Sequence, residues 1–168
     1  MGAGRLRGDM LWEQLLHPHE IVRDPIHGDI RITALERRLI DTCAFQRLRH
    51  LKQMNSAHLV YPGAVHNRFM HSIGTMHVAD QIVQIVNYNA KIYPKNMLVT
   101  VGLYPRLLIR LTALLHDLAT LPFGHELEDE ANLTEGKKQW ANGQRAEFWF
   151  NEIAEPMAKF VEGIGGDK

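Results

Sequence analysis

Apolar residues recur at helical spacing over most of the chain. Phe69, Ile73, Met76, Ala79, Ile82, Val83 and Val86 form one long stripe and predict an amphipathic helix over 68–88. Leu107, Leu108, Leu111, Leu114, Leu115 and Leu118 predict a second over 105–119. Pro105 suits its first turn, where a missing N–H costs nothing, and Pro122 ends it or starts another helix. Leu35, Leu39, Cys43 and Leu48 sit near i, i+4 spacing after Thr33. Thr33, with Glu36 three residues on, reads as a capping box that starts this helix. Phe148, Ile153, Met157, Phe160 and Val161 predict a last helix, after a polar connection over 126–143. Strand-like alternation is confined to "DPIHGDIRI" (24–32), where Pro25 and Gly28 mark a turn and Ile30 and Ile32 alternate: a short hairpin or edge strand. Residues 1–18 read as a loosely ordered arm with one apolar patch, Leu11, Trp12, Leu15 and Leu16. The expectation is an all-α, mostly helical fold, with an arm over 1–19 and a single domain over 20–168.

Composition narrows the partners. The chain has 168 residues, enough for one domain with a real core. Its formal net charge is zero, so there is no global attraction to nucleic acid or to a membrane surface, and basic and aromatic residues do not interleave. Arg106, Arg110, His116 and Asp117 interrupt the most apolar segment, 103–123, which therefore cannot span a bilayer without burying charge. The N-terminus shows no apolar signal run with a small-residue cleavage site. A single cysteine, Cys43, excludes an internal disulfide or a multi-cysteine zinc site and fits a reducing compartment. A soluble, cytoplasmic protein is expected, with neither membrane nor nucleic acid as partner.

Ten histidines turn attention to metal chemistry, since imidazole is the commonest protein metal ligand. The stretch "ALLHDLATLPFGHE" (113–126) ends an apolar helix in His116 and Asp117 and adds His125 after Pro122. Adjacent side chains on a helix point about 100° apart, yet two of them can still converge on one ion at a helix end. Imidazole with carboxylate suits a divalent metal. A lone His-Asp pair is more often a helix-capping histidine beside a solvated aspartate. "HNRFMHSIG" (66–74) changes that weight, because His71 falls on the inward stripe of its helix, where a polar group needs a partner, and Gly74 permits close approach.

Four motifs in order, "DPIHG", "IDTCAFQRLRHLKQ", "YPGAVHNRFMHSIGTMHVA" and "LLHDLATLPFGH", resemble those of the HD-domain metal-dependent phosphohydrolases, specifically the dNTP triphosphohydrolase (dGTPase-like) branch. The resemblance covers about 20–126 and does not extend over 127–168. It implies that His71, His116 and Asp117 ligate a divalent metal, whether Mn, Fe, Zn, Ni or Mg, and that Asp117 and His125 belong to the catalytic machinery. It implies that Gln53 meets the nucleoside, that Arg68 reaches the triphosphate as a forked donor, and that His125 contacts a phosphate. Asp41, Gln46 and Arg49 resemble residues that bind an activating nucleotide between subunits in regulated members, although Glu20 stands where those members carry a lysine and would repel phosphate.

The sequence also departs from that pattern. The family's fourth metal ligand, an aspartate on a later helix, has no counterpart: Asp129 comes too early and Asp167 lies in a glycine-rich tail. The chain is then either the N-terminal part of a longer enzyme or a shortened protein, in both cases lacking the C-terminal part of the family fold. Ala119 and Thr120 replace a Gly-His whose histidine helps protonate the leaving group, and threonine is no acid near neutral pH. A later family histidine is echoed only weakly in "WANGQRAEF", with Asn142 in its place. Three readings follow: a phosphohydrolase of (deoxy)nucleoside triphosphates or related esters, which is favoured; a catalytically weak or inactive nucleotide-binding or assembly module; and a nuclease or phosphodiesterase. A homo-oligomer or partner chain is expected, to cover the 148–161 stripe and the Leu11–Leu16 patch.

Overall fold

In the computed structural model, residues 3–93, 99–120 and 122 are described, and beyond them 147, 151, 153–155, 157–160 and 162–163. The described residues are mostly helical, with a single two-stranded sheet among them. The chain divides into two compact units, Met1–Glu36 with Ile73–Leu115 and Arg37–Ser72 with His116–Lys168.

The first unit starts with α1 (Ala3–Leu16), where a loose arm was expected. The expected apolar patch explains the difference: Leu15 is buried, and the Trp12 ring lies 4.9 Å from that of Tyr104 in α5 (Leu103–Leu115). Strands β1 (Pro18–Asp24) and β2 (Gly28–Thr33) pair antiparallel, with Val22 opposite Ile30 and Asp24 opposite Gly28. Asp24 Oδ1 accepts from the Ile26 and His27 amides at 2.8 Å each, and Gly28 takes φ +73°, a conformation open to glycine, to close the hairpin. Ile30 and Ile32 point into the core. The capping box forms as expected at the start of α2 (Ala34–Ile40): Glu36 Oε2 accepts from the Thr33 amide at 2.8 Å, and Thr33 Oγ1 accepts from the Glu36 amide at 3.2 Å.

A buried charge network joins α4 (Arg68–Ile92) and α5 within this unit. Arg106 forks onto Asp80 at 2.7 and 2.9 Å, and Arg110 forks onto Glu36 at 2.7 and 2.8 Å while also reaching Asp80 at 2.9 Å. Glu36 is 0% exposed, and Arg110 supplies the opposite charge that a buried carboxylate needs. The network resets the inward face of α4. Ile73, Met76, Asp80 and Val83 are buried in succession, whereas Ile82 is 56% exposed and Val86 is exposed too, against the expected stripe. On α5, Arg110 is buried and Leu108 exposed, the reverse of what polarity suggests.

In the second unit, the expected helix through Cys43 and Leu48 breaks after Ile40. Thr42 Oγ1 donates to the Leu39 carbonyl at 2.7 Å and caps a new short helix, α3 (Cys43–Gln46), by accepting from the Phe45 amide at 3.3 Å. Cys43 is thereby turned to the surface, while Phe45 and Leu48 stay buried. Phe45 meets Phe69 edge to face at 5.4 Å. The described residues between 147 and 163 are helical; Ile153 is buried among them, and the Arg38 guanidinium lies 4.9 Å over the Phe160 ring.

Candidate metal centre

The centre lies within the second unit. Asn67 starts α4 by accepting the Met70 amide on Oδ1 at 3.0 Å, and the first turn of that helix then carries Arg68 and His71. The Arg68 amide is tied to the Leu51 carbonyl at 2.8 Å, which fixes the angle at which the helix begins. His116 and Asp117 occupy the turn that follows α5, and the Thr120 amide donates to the Asp117 carbonyl at 3.1 Å to close it.

Three donor atoms converge here. His71 Nε2 lies 3.3 Å from His116 Nε2 and 3.7 Å from Asp117 Oδ2, and His116 Nε2 lies 3.6 Å from the same oxygen. Two donors at ~2.1 Å from one ion stand about 3.4 Å apart at a tetrahedral angle. The observed spacings match that figure, and the set of two imidazoles and one carboxylate fits a borderline divalent metal. Burial pushes the His71 imidazole below its ordinary value; Asp117 opposes the shift, and the neighbouring His116, Arg68 and His66 reinforce it. A neutral imidazole is the form that ligates.

The surroundings are polar and ordered. Arg68 Nη1 donates to Asp117 Oδ2 at 2.8 Å, with both side chains largely buried. Thr120 Oγ1 donates to Asp117 Oδ1 at 3.2 Å. Arg47 donates through Nη2 to the Leu118 carbonyl at 2.7 Å and through Nη1 to the Thr120 carbonyl at 3.0 Å, and so holds the turn. The Gln53 amide donates to the His66 carbonyl at 3.0 Å, while its side-chain Oε1 is shielded from solvent and has no hydrogen-bond partner among the described residues.

The HD domain profile matches residues 68–163, which include both the helix turn with His71 and the His116-Asp117 pair. The chain belongs to the HD domain family. It is similar to an uncharacterized protein of Methanocaldococcus jannaschii, at 40% identity over 109 residues, covering 65% of this chain and 21% of that one. It is also similar to the deoxynucleoside triphosphate triphosphohydrolase SAMHD1 of Danio rerio, 41% identical over 108 residues, with 64% of this chain and 16% of that one covered. Against the SAMHD1 of Homo sapiens the identity is 33% over 135 residues, 80% of this chain and 21% of that one. The chain thus spans about a fifth of the length of the curated relatives it matches.

Not every residue singled out from the HD-domain pattern joins this cluster. Gln46 and Arg49 meet each other, Arg49 Nε donating to Gln46 Oε1 at 2.7 Å, and the Arg49 guanidinium stacks 3.6 Å over the Phe69 ring. Asp41 instead pairs with Arg37 at 2.6 Å on the surface. His125, Asp129, Asn142 and Asp167 lie outside the described residues. Sequence reasoning took Thr120 only as a lost histidine and did not single out Arg47. A hydroxyl three positions after a carboxylate, at the end of a helix, was the available signal for the first; nothing local announced the second.

Proposed function

We propose that this HD domain is part of a metal-dependent phosphohydrolase acting on deoxynucleoside triphosphates, soluble and cytoplasmic. The observation that carries the reading is the convergence of His71 Nε2, His116 Nε2 and Asp117 Oδ2 on one point, all within 4.8 Å of one another. His71, His116 and Asp117 would hold a divalent ion, which would supply Lewis-acid chemistry for a phosphoryl oxygen and a water. Three protein ligands suffice for a catalytic ion when water fills the remaining positions. The chain's own residues supply the rest. Arg68, already beside Asp117, offers a guanidinium to a polyphosphate, and Gln53 Oε1 is a shielded acceptor suited to a donor on the nucleoside. His125 would add a phosphate contact. Asp41, Gln46 and Arg49 form the proposed regulatory nucleotide site. The similarity to deoxynucleoside triphosphate triphosphohydrolases supports the choice of substrate class. Among the described residues no helix is long and apolar enough to cross a membrane.

The test is elemental analysis of the purified chain beside His116→Ala, with hydrolysis of dNTPs and NTPs in added Mn²⁺ read by chromatography of the nucleoside and the released triphosphate or phosphate. Bound metal that the substitution abolishes, with hydrolysis of dGTP, supports the reading. A parent that binds no metal and hydrolyses no nucleotide overturns it. One observation favours a second reading, a nucleotide-binding or assembly module with little turnover: Thr120 sits beside Asp117 where an acid is expected. Nucleotide binding with metal but without hydrolysis to nucleoside or nucleotide products selects it. Self-association is part of both readings, although Leu15 and Trp12 of the patch expected to need a partner pack within the first unit, and the exposed apolar run is Leu59, Val60 and Tyr61. Light scattering that reports a monomer at every concentration counts against that part.

A further inference from the structure

Asp117 has two oxygens with different surroundings. Oδ2 faces the imidazole nitrogens of His71 and His116, at 3.7 and 3.6 Å, and also accepts from Arg68. Oδ1 is taken by the Thr120 hydroxyl at 3.2 Å. The hydroxyl can reach it because the turn is closed twice: by the Thr120 amide on the Asp117 carbonyl, and by Arg47, whose two terminal nitrogens grip the carbonyls of Leu118 and Thr120. A carboxylate rotates about its Cβ–Cγ bond unless something holds one end. Here Oδ1 is held by a neutral donor, and Oδ2, steadied by Arg68, is presented to the imidazoles.

We propose that Thr120 is a positioning residue of the metal centre: its hydroxyl holds Asp117 Oδ1 and presents Oδ2 alone as the donor. The inference rests on the metal reading above and deepens it. Thr120 is then a partner that orients a ligand, and the residue at this position bears on metal affinity, separately from any role in proton transfer. Outer partners of this kind typically contribute 10–100-fold in affinity. Arg47 acts one step further out, by fixing the backbone that carries the hydroxyl.

The test compares Thr120→Val and Thr120→Ser with the parent chain, using Mn²⁺ titration calorimetry and the visible absorption of Co²⁺, which reports coordination. Valine matches threonine in shape and removes only the hydroxyl; serine keeps it. Thr120→Val is expected to weaken Mn²⁺ binding about tenfold and to change the Co²⁺ spectrum as Oδ1 is freed, while Thr120→Ser stays within about twofold of the parent. Far-UV circular dichroism checks that each variant folds, and Thr120→Ala, with the same expected loss, replaces the valine variant if that one does not. If the parent binds metal, His116→Ala abolishes binding and Thr120→Val leaves affinity and spectrum unchanged, the positioning role is overturned and the metal reading stands. If the parent binds no metal, both fall together.

Discussion

His71 Nε2 and His116 Nε2 stand 3.3 Å apart although 45 residues separate them in the chain. One comes from the first turn of α4 and the other from the turn after α5, and Asp117 Oδ2 completes the triangle. In one pair of tautomers the two nitrogens share a hydrogen bond, and with Asp117 they form a set of three donors that can hold one metal ion. His71→Ala and His116→Ala are each expected to abolish metal binding, whereas His66→Ala, outside the triangle, is expected to retain it. Metal content after gel filtration, read by mass spectrometry, decides. Equal metal in all four proteins would place the binding elsewhere.

Stability should depend strongly on Arg110. Its guanidinium meets Glu36, which is fully buried and also caps α2 through the Thr33 amide. Burial acts to lower the Arg110 pKa, but the bonds and charges of Glu36 and Asp80 outweigh it and raise it, so the arginine stays charged. Arg110→Met strands a buried carboxylate, which typically costs ~3–5 kcal/mol. Urea unfolding at neutral pH measures it. The double variant Arg110→Met with Glu36→Gln is expected to recover part of the loss, because the stranded charge is gone while an acceptor for the Thr33 amide remains. A single variant as stable as the parent would show that the pair contributes nothing.

Those two relationships mark what the sequence could and could not reveal. The capping box was legible because Thr33 and Glu36 are three residues apart and their chemistry is local. The hairpin was legible for the same reason, through Asp24, Pro25 and Gly28, and the triad was legible through the family motif. Asp80 and Arg110 were not: each lies at an inward helical position, yet polarity assigns it to the surface, and only the partner across the unit reverses that. Once Asp80 turns inward, the α4 stripe rotates and Ile82 and Val86 are left outside. Helix α1 was missed because its residues carry no clear apolar period, and its order comes from contacts such as Trp12 with Tyr104. The break before Cys43 hinged on one hydroxyl, that of Thr42.

Acid should loosen the same network. Burial acts to raise the Asp80 carboxyl, but the bond from Arg106, the charges of Arg110 and Arg106 and the Gln84 amide outweigh it and hold the group below the usual aspartate range. A carboxylate lowered in the folded state contributes stability above its unfolded value, about 3.9, and loses it as pH falls through the folded value. The parent is therefore expected to be more stable than Asp80→Asn above about pH 4, with the gap closing below it. Urea midpoints of both proteins across that range check the sign. A gap that stays constant on acidification would mean that the Asp80 carboxyl is not lowered in the folded state, and one that widens would mean that it is raised. His77 adds a slope at milder pH. Burial, and then His27, lower its imidazole, so the folded state resists its protonation and stability falls as pH drops below about 6.5.

The last prediction separates affinity from turnover at position 120. The family pattern places a proton-donating histidine there, whereas this chain places a hydroxyl on Asp117 Oδ1. Thr120→His exchanges one role for the other. It removes the small donor that orients the carboxylate, so half-saturation with Mn²⁺ is expected to require about tenfold more metal. It also supplies an acid that titrates near neutral pH, which typically accelerates a step needing proton transfer by ~10²–10⁴-fold. At saturating metal, dGTP hydrolysis, read by nucleoside formation, should therefore rise, and its rate should acquire a descending limb toward high pH as the imidazole loses its proton. Thr120→Gln, with no titrating group of comparable pKa, should lose metal affinity without that gain in rate. If Thr120→His and Thr120→Gln behave alike in rate and pH profile, the position does not handle a proton in this chain.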